Sequence, residues 1–248
     1  MKKMKKLITD GPFMSAASRL TLTFIVFLYW ILDYLYLGMR IQGRKNLKSL
    51  RGKGCVVISN HTLFIEPGFI THAIYPRHPY FSIMEATFVN KIAEIGLRLL
   101  RGFPIPRRNG MARIEPEITR VLKNGGCVHV FPEGELTHFN QKPAPFKKGA
   151  FVLAIENQVP ILPVATVILP RKFFGRPLWQ YFFRLVMVVE KPIVPPPCPE
   201  SREELLRLAG EMARESRTVI SDAIRTWNPD VRAEDQMGSK RPAEETGK

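Results

Sequence analysis

Cysteine is scarce in this chain. Cys55, Cys127 and Cys198 are three in number, widely spaced, and form no CxxC or other metal-ligand spacing. That excludes a zinc site built on paired cysteines and points to a reducing compartment. Cys55 and Cys127 each open an apolar run, where a free thiol is expected to behave as a small buried hydrophobe. Histidine is nearly as sparse, with five residues. None of them makes an HExxH or similar ligand pair, so no metal site is expected. Internal repeats are absent. Acidic residues are also in deficit, 22 against 37 Lys and Arg, for a formal charge of +15. A negative partner follows: nucleic acid, anionic lipid headgroups or a phosphorylated substrate. Charge alone speaks for nucleic acid. No recognisable binding motif and no strand with surface aromatics supports it, and no nucleic-acid partner is expected.

What the chain does have is enough apolar residue to fold. At 248 residues and 45% hydrophobic, it can bury a core as one large domain or one domain with an appendage, and it is not a disordered class. The N-terminus carries a basic block, MKKMKK, and after Arg19 the run LTLTFIVFLYWILDYLYLGM, interrupted by Asp33. No small-residue cleavage site follows, so the segment is expected to stay attached. Counted with Asp33, the run reaches the ~20 residues a spanning helix needs. Basic residues flank it on both sides, which weakens any orientation signal. A helix or helical pair lying in the cytoplasmic leaflet, with Tyr29, Trp30, Tyr34 and Tyr36 near the headgroups, fits the charges better. The expected location is the cytoplasmic face of the cell membrane, monotopic or single-pass, with anionic phospholipid as partner. A soluble core helix is the remaining alternative.

Beyond about residue 40, short apolar runs alternate with helical patterns. CVVIS, YFSIM, CVHVF, ILPVATVIL and LVMVVEK read as strands. Between them, PGFITHAIY, KIAEIGLRLLR, ARIEPEITRVLKNG and KKGAFVLAIENQ have helical spacing. The class is therefore α/β, a largely parallel central sheet covered by helices, with an N-terminal membrane-associated helical segment. Sites are expected in loops at the strand ends. The last helix opens at Ser201 with a capping-box pattern, Glu204 following three residues on. The expected organisation is residues 1–39 as anchor, 40–227 as the α/β domain and 228–248 as a polar, disordered tail.

The stretch SNHTLFIEPG, residues 59–68, joins a strand end to a helix start at Pro67. His61 and Glu66 are five residues apart. On a continuous helix they would point roughly 140 degrees apart, so only a bent connection lets the carboxylate reach the imidazole. Such a pair can remove a proton from a hydroxyl while the carboxylate fixes the imidazole tautomer and steadies the imidazolium. The plainer reading is a carboxylate favoured at a helix N-terminus and a histidine that merely ends a strand. Three further stretches bear on the choice. RGFPIPRRNG sets Arg107 and Arg108 after a short apolar strand, suited to a phosphate. VHVFPEGELTH holds Glu133 and Gly134 in a tight turn. FKKGAFVLAIENQVPILPV places Lys147 and Lys148 at a helix start, where they oppose the dipole.

In order and spacing, NHTLFIE, GFPIPRR, FPEGE and VPILPV, with FKKGA, resemble the lysophosphatidic acid (1-acylglycerol-3-phosphate) acyltransferase family of glycerolipid acyltransferases, over roughly residues 40–195. The resemblance implies that His61 is the general base, oriented by Glu66. The free hydroxyl of a lysophospholipid would attack an acyl thioester, from acyl-CoA or acyl-carrier protein, giving phosphatidic acid in a single transfer. No cofactor is implied. Arg107, with Arg108 beside it, would hold the acceptor phosphate, Glu133 and Gly134 would shape the acceptor site, and Asn60, Lys147 and Lys148 are further candidate substrate contacts. Pro160 and Pro163 would support the fold or the donor channel. Two positions depart from the family pattern. The first block ends in Glu66 where the family has Asp, and Glu135, Leu136 and Thr137 stand where the third block usually reads Thr-Arg-Ser. An expected Arg is thus missing. A non-catalytic lipid-binding relative of the same fold, or an acyltransferase with a different lysolipid acceptor, is the alternative those departures leave open.

Overall fold

Helices and strands alternate along the chain as the apolar runs require. The computed structural model describes residues 8, 12–32, 38–88, 90–105, 110–174, 176–177, 183–228 and 230–231. Its elements are α1 (Pro12–Leu32), β1 (Arg40–Gln42), β2 (Cys55–Ser59), α2 (Glu66–Ala73), β3 (Tyr80–Met84), α3 (Lys91–Leu99), β4 (Gly102–Ile105), α4 (Gly110–Lys123) and β5 (Cys127–Val130). There follow α5 (Gly149–Glu156), β6 (Ile161–Pro170), the short pair β7 (Lys172–Phe173) and β8 (Arg176–Pro177), β9 (Phe183–Val189) and α6 (Arg202–Trp227).

Seven strands form one sheet in the order β1-β9-β6-β2-β5-β3-β4. Every neighbouring pair is parallel except β6 with β9. β2 lies at the centre, paired with β5 (Cys55 opposite Cys127) and with β6 (Val56 opposite Ile161). All five of its residues are buried, which explains why its sequence is a continuous apolar run rather than an alternating one. Val56 and Ile58 enter one core, with α4, α5 and α6. Cys55 and Val57 enter the other, with α2. The result is an α/β sandwich in which the C-terminal ends of β2, β3, β4 and β5 share one edge.

Several details add to the sequence reading or correct it. α1 starts at Pro12, eight residues before the apolar run at Leu20, because Pro suits a helix's first turn and the following Met, Ala and Ser carry the helix without apolar periodicity. Asp33, Tyr34 and Tyr36 lie outside the described residues. Ile8, assigned to the anchor, is buried in the main core, and its N–H donates to Glu117 Oε2 at 2.5 Å. The tail does not begin at 228. Asn228 is buried and donates from Nδ2 to the Ile168 carbonyl at 2.9 Å, and Val231 joins the core. At the other end of α6, Ser201 caps as expected, its Oγ accepting from the Glu204 amide at 3.3 Å. The Glu204 carboxylate pairs with Arg207 rather than closing the box.

Candidate active site

The chain leaves β2 at Ser59 and turns through Phe64 and Ile65 before α2 begins at Glu66. This bend brings the two groups of the opening stretch together. His61 Nδ1 and Glu66 Oε2 are 2.7 Å apart. The Thr62 amide donates to both oxygens of the same carboxylate at 3.1 Å. Glu66 is fully buried and the His61 side chain is 18% exposed, so the imidazole alone opens towards solvent. With Nδ1–H given to the carboxylate, Nε2 is left as the basic nitrogen. Burial pushes the Glu66 carboxyl above its ordinary range, and the hydrogen bonds from His61 and Thr62 offset part of that rise. Glu66 also occupies the first turn of α2, so the helix-dipole reading of the sequence holds alongside the pairing.

The loop after β5 holds His61 from the other side. The Phe131 ring stacks on the imidazole with centroids 3.7 Å apart. The His61 N–H donates to Glu133 Oε1 at 2.8 Å, and the Ala144 N–H donates to Glu133 Oε2 at 2.8 Å. The Thr137 and Phe139 amides donate to the His61 and Thr62 carbonyls at 3.3 and 3.0 Å. Glu133 is buried, and its two oxygens clamp two backbone segments together rather than facing open space. Asn60 is likewise buried. Its Oδ1 accepts from the Thr166 amide at 2.8 Å and its Nδ2 donates to the Thr166 carbonyl at 2.9 Å, which ties the end of β2 to β6. Both residues were expected to meet substrate. The structure gives their polar atoms to the backbone instead.

The basic candidates separate. Arg107 and Arg108 lie outside the described residues. Lys147 is exposed, and its side chain runs across Gly134, where an added Cβ would come within 2.4 Å of Nζ. Gly134 also has φ +80, so this turn requires glycine for both reasons. Lys148, one residue on, turns the other way and lies over Gly210 of α6. His138 is exposed beside Phe139. Among the described residues no group of three His, Cys, Asp or Glu gathers as a metal site.

Phe131, the Thr62 amide and the Ala144 amide were not singled out from sequence. Phe131 heads the FPEGE block, which was the available signal; backbone amides leave none. Nor was the neighbouring buried pair, Ser59 Oγ and His129 Nε2 at 3.0 Å. His129 is fully buried, and that burial, with the field of His61, lowers it to about 3. Burial and the nearby Arg101 lower His78 to about 4. Both are depressed bases. Unfolded, they bind protons near pH 6.5; folded, they resist, so stability is lost as pH falls from about 6.5 towards 3 to 4. Glu66, a raised acid, acts in the opposite sense. A His129→Gln variant, which keeps a partner for Ser59 but cannot titrate, is expected to show a flatter decline of denaturant-unfolding free energy between pH 6.5 and 4. An unchanged slope would assign the acid sensitivity elsewhere.

With this geometry in place, comparison with known proteins decides the family. Residues 38–167 match the Acyltransferase family. The chain belongs to the acyltransferase family. The matched stretch spans the histidine loop, the β5 loop and most of β6. Curated relatives named 1-acyl-sn-glycerol-3-phosphate acyltransferase include one from Bacillus subtilis, 27% identical over 52% of this chain and 62% of its own length. The beta form from Homo sapiens is 30% identical over 53% of this chain and 47% of its own. One from Saccharomyces cerevisiae is 28% identical over 76% and 60%. The chain thus spans less than two thirds of the length of each of these relatives. The crystal structure of the 1-acyl-sn-glycerophosphate acyltransferase PlsC from Thermotoga maritima has the same fold, with TM-score 0.57 at 20% identity over 86% of this chain and 89% of that one.

Proposed function

We propose that this acyltransferase transfers a fatty acyl group from a thioester donor, acyl-CoA or acyl-carrier protein, to the free hydroxyl of lysophosphatidic acid, giving phosphatidic acid. The observation that carries the reading is the 2.7 Å contact between His61 and a fully buried carboxylate, within a chain of this family. His61 Nε2 takes the hydroxyl proton as the oxygen attacks the thioester carbonyl carbon. The carbon–sulfur bond breaks, and the departing thiolate takes that proton back from His61. Glu66 holds the tautomer and steadies the imidazolium between the two steps. The acceptor supplies its own nucleophile, so no acyl-enzyme forms and no cofactor is needed beyond the donor.

The acceptor phosphate is assigned to Lys147 and to the Arg107–Arg108 pair, while Glu133 serves to seat His61. The two roles separate kinetically. Lys147→Ala is expected to raise KM for lysophosphatidic acid about tenfold with kcat little changed, as loss of one charge-assisted contact implies. Glu133→Gln is expected to lower kcat with KM little changed, because one of the two amides it accepts would then face an NH2 group and the His61 backbone would shift. The reverse pattern would move Glu133 into the acceptor site.

Membrane association is part of the reading. α1 is long and apolar enough to cross a bilayer, and only 11% of its apolar stretch Met14–Ile31 is buried. It exposes Leu20, Phe24, Phe27, Leu28, Trp30 and Ile31. A monotopic seat on the cytoplasmic face, with anionic phospholipid complementing the +15 charge, fits this surface. The whole reading is tested by acyl transfer from acyl-CoA to lysophosphatidic acid by the detergent-solubilised protein, with acyl-carrier protein and other lysolipids alongside. Lipid binding without transfer from any pair would favour a non-catalytic lipid-binding relative.

A further inference from the structure

Side chains two apart on a strand face the same way, and beneath His61 this alternation builds a column of rings. β5 sets His129 opposite Val57 of β2 and opposite Phe81 of β3. Two residues on, just past the end of β5, comes Phe131, and two residues beyond Val57 comes Ser59. Each level touches the next. The Phe81 and His129 rings have centroids 5.2 Å apart, and Ser59 Oγ lies 3.0 Å from His129 Nε2. His129 meets Phe131 edge to face, with centroids 4.4 Å apart and planes at 77 degrees. Phe131 then lies flat against the His61 imidazole, 3.7 Å between centroids and 15 degrees between planes.

A single hydrogen bond does not fix an imidazole. The bond between Nδ1 and Glu66 sets one atom and the tautomer, but the ring can still swing about that contact, because the last torsion of a histidine side chain sits in a broad well. Nε2 is on the far side of the ring, so a tilt displaces it most. The face of Phe131 removes that freedom, and its electron-rich surface suits the imidazolium that forms during transfer. Phe131 is seated in turn. Ser59 and His129 below it are fully buried and bond to each other, which ties the end of β2 to β5 directly under the stack. His129 Nδ1 has no hydrogen-bond partner among the described residues. An unmet buried nitrogen costs stability, so a gain in stability does not account for the pair. Burial keeps His129 uncharged, its basicity lowered to about 3, and no second cation stands behind Phe131 when His61 is protonated.

We propose that Phe131 is a positioning residue of the acyl-transfer site, seated on the buried Ser59–His129 pair, and that this column fixes the plane of the His61 imidazole as Glu66 fixes its tautomer. The proposal rests on the reading of His61 as the base and deepens it. None of the three residues acts on substrate; their effect runs through His61.

The stack is read first in the unmodified, detergent-solubilised full chain with isotope-labelled histidine rings, the His61 signals being assigned by their loss in His61→Ala. The ring current of Phe131 is expected to place the His61 ring protons upfield of those of exposed His138, and Phe131→Leu is expected to return them downfield. Ordinary His61 shifts in the unmodified protein would overturn the proposal whatever the variants do. In kinetics, Phe131→Leu is expected to lower kcat about 10- to 100-fold with KM for both substrates little changed. Phe131→Tyr, which keeps the ring, should retain most of the rate, and Phe131→Met replaces Phe131→Leu if the latter does not fold. His129→Leu, which strips Ser59 of its partner, is expected to lower kcat about threefold to tenfold, and the double variant to be no slower than Phe131→Leu alone. Normal kcat in Phe131→Leu, additive losses in the double variant, or an equal loss from Phe131→Leu in a His61→Ala background would each overturn the proposal. Transfer that persists in His61→Ala alone would instead remove the reading of His61 as the base, so the two failures are distinct.

Discussion

Replacing His61 with Ala is expected to lower kcat by on the order of 10²- to 10⁴-fold while leaving the melting temperature nearly unchanged. The imidazole is the one group of the pair open to solvent, and only its Nε2 is left to accept a proton, since Nδ1 is committed to Glu66 at 2.7 Å. On the proposed mechanism, removing it leaves the acceptor hydroxyl with no base. The side chain's structural contacts are few: the stack on Phe131 and the bond to Glu66. The three backbone hydrogen bonds that hold the loop, from the His61 amide to Glu133 and from the Thr137 and Phe139 amides, do not involve the imidazole. Steady-state kinetics beside a thermal melt checks both halves. A folded His61→Ala protein with more than a tenth of normal kcat would remove His61 from the chemistry.

Glu66→Gln is expected to cost kcat on the order of 10²- to 10⁴-fold as well, for a different reason. The amide keeps the shape but not the charge, so an imidazolium at His61 loses its counter-charge. The site also has a donor mismatch. His61 Nδ1–H and the Thr62 amide both point at the carboxylate, and an amide has one oxygen and one NH2 to meet them. Stability need not fall with activity. Burial raises the Glu66 carboxyl, so ionising it inside the fold is unfavourable, and a neutral isostere relieves that cost. Glu66→Asp is the sharper companion. The loop is built around the longer side chain, so aspartate should leave a gap of about 1 Å and lose on the order of tenfold to a hundredfold, although the family pattern carries Asp there. Full activity in Glu66→Asp would mean that the turn at Phe64–Ile65 adjusts freely.

Sequence reading reached the sheet more surely than the site. β2 and β3 occupy the quoted runs CVVIS and YFSIM, because glycine or proline before each run and the turn after it leave no other apolar stretch to extend into. The start of α1 at Pro12 was not legible, because Ser15, Ala16, Ala17 and Ser18 carry helix propensity without periodicity. Within the site, the spacing of His61 and Glu66 supported two readings, and only the bend before α2 chooses between them. The backbone partners of Asn60 and Glu133 were not legible. Their bonds run to the backbone of Thr166 and Ala144, and a backbone amide far along the chain leaves no mark in the side-chain pattern. Lys147 and Lys148 are adjacent in sequence yet diverge, one over the Glu133 turn and the other onto α6, because Lys147 still belongs to the loop before α5 while Lys148 is already its N-cap.

The most direct measurement is a single-turnover reaction of the solubilised protein with labelled acyl-CoA and lysophosphatidic acid, following phosphatidic acid, free thiol and protein-bound acyl together. Equal appearance of phosphatidic acid and thiol, no label on the protein at any time, and loss of both products in His61→Ala are the predicted result. Label accumulating on the protein before product, or transfer that persists without His61, would contradict direct attack by a hydroxyl that His61 deprotonates.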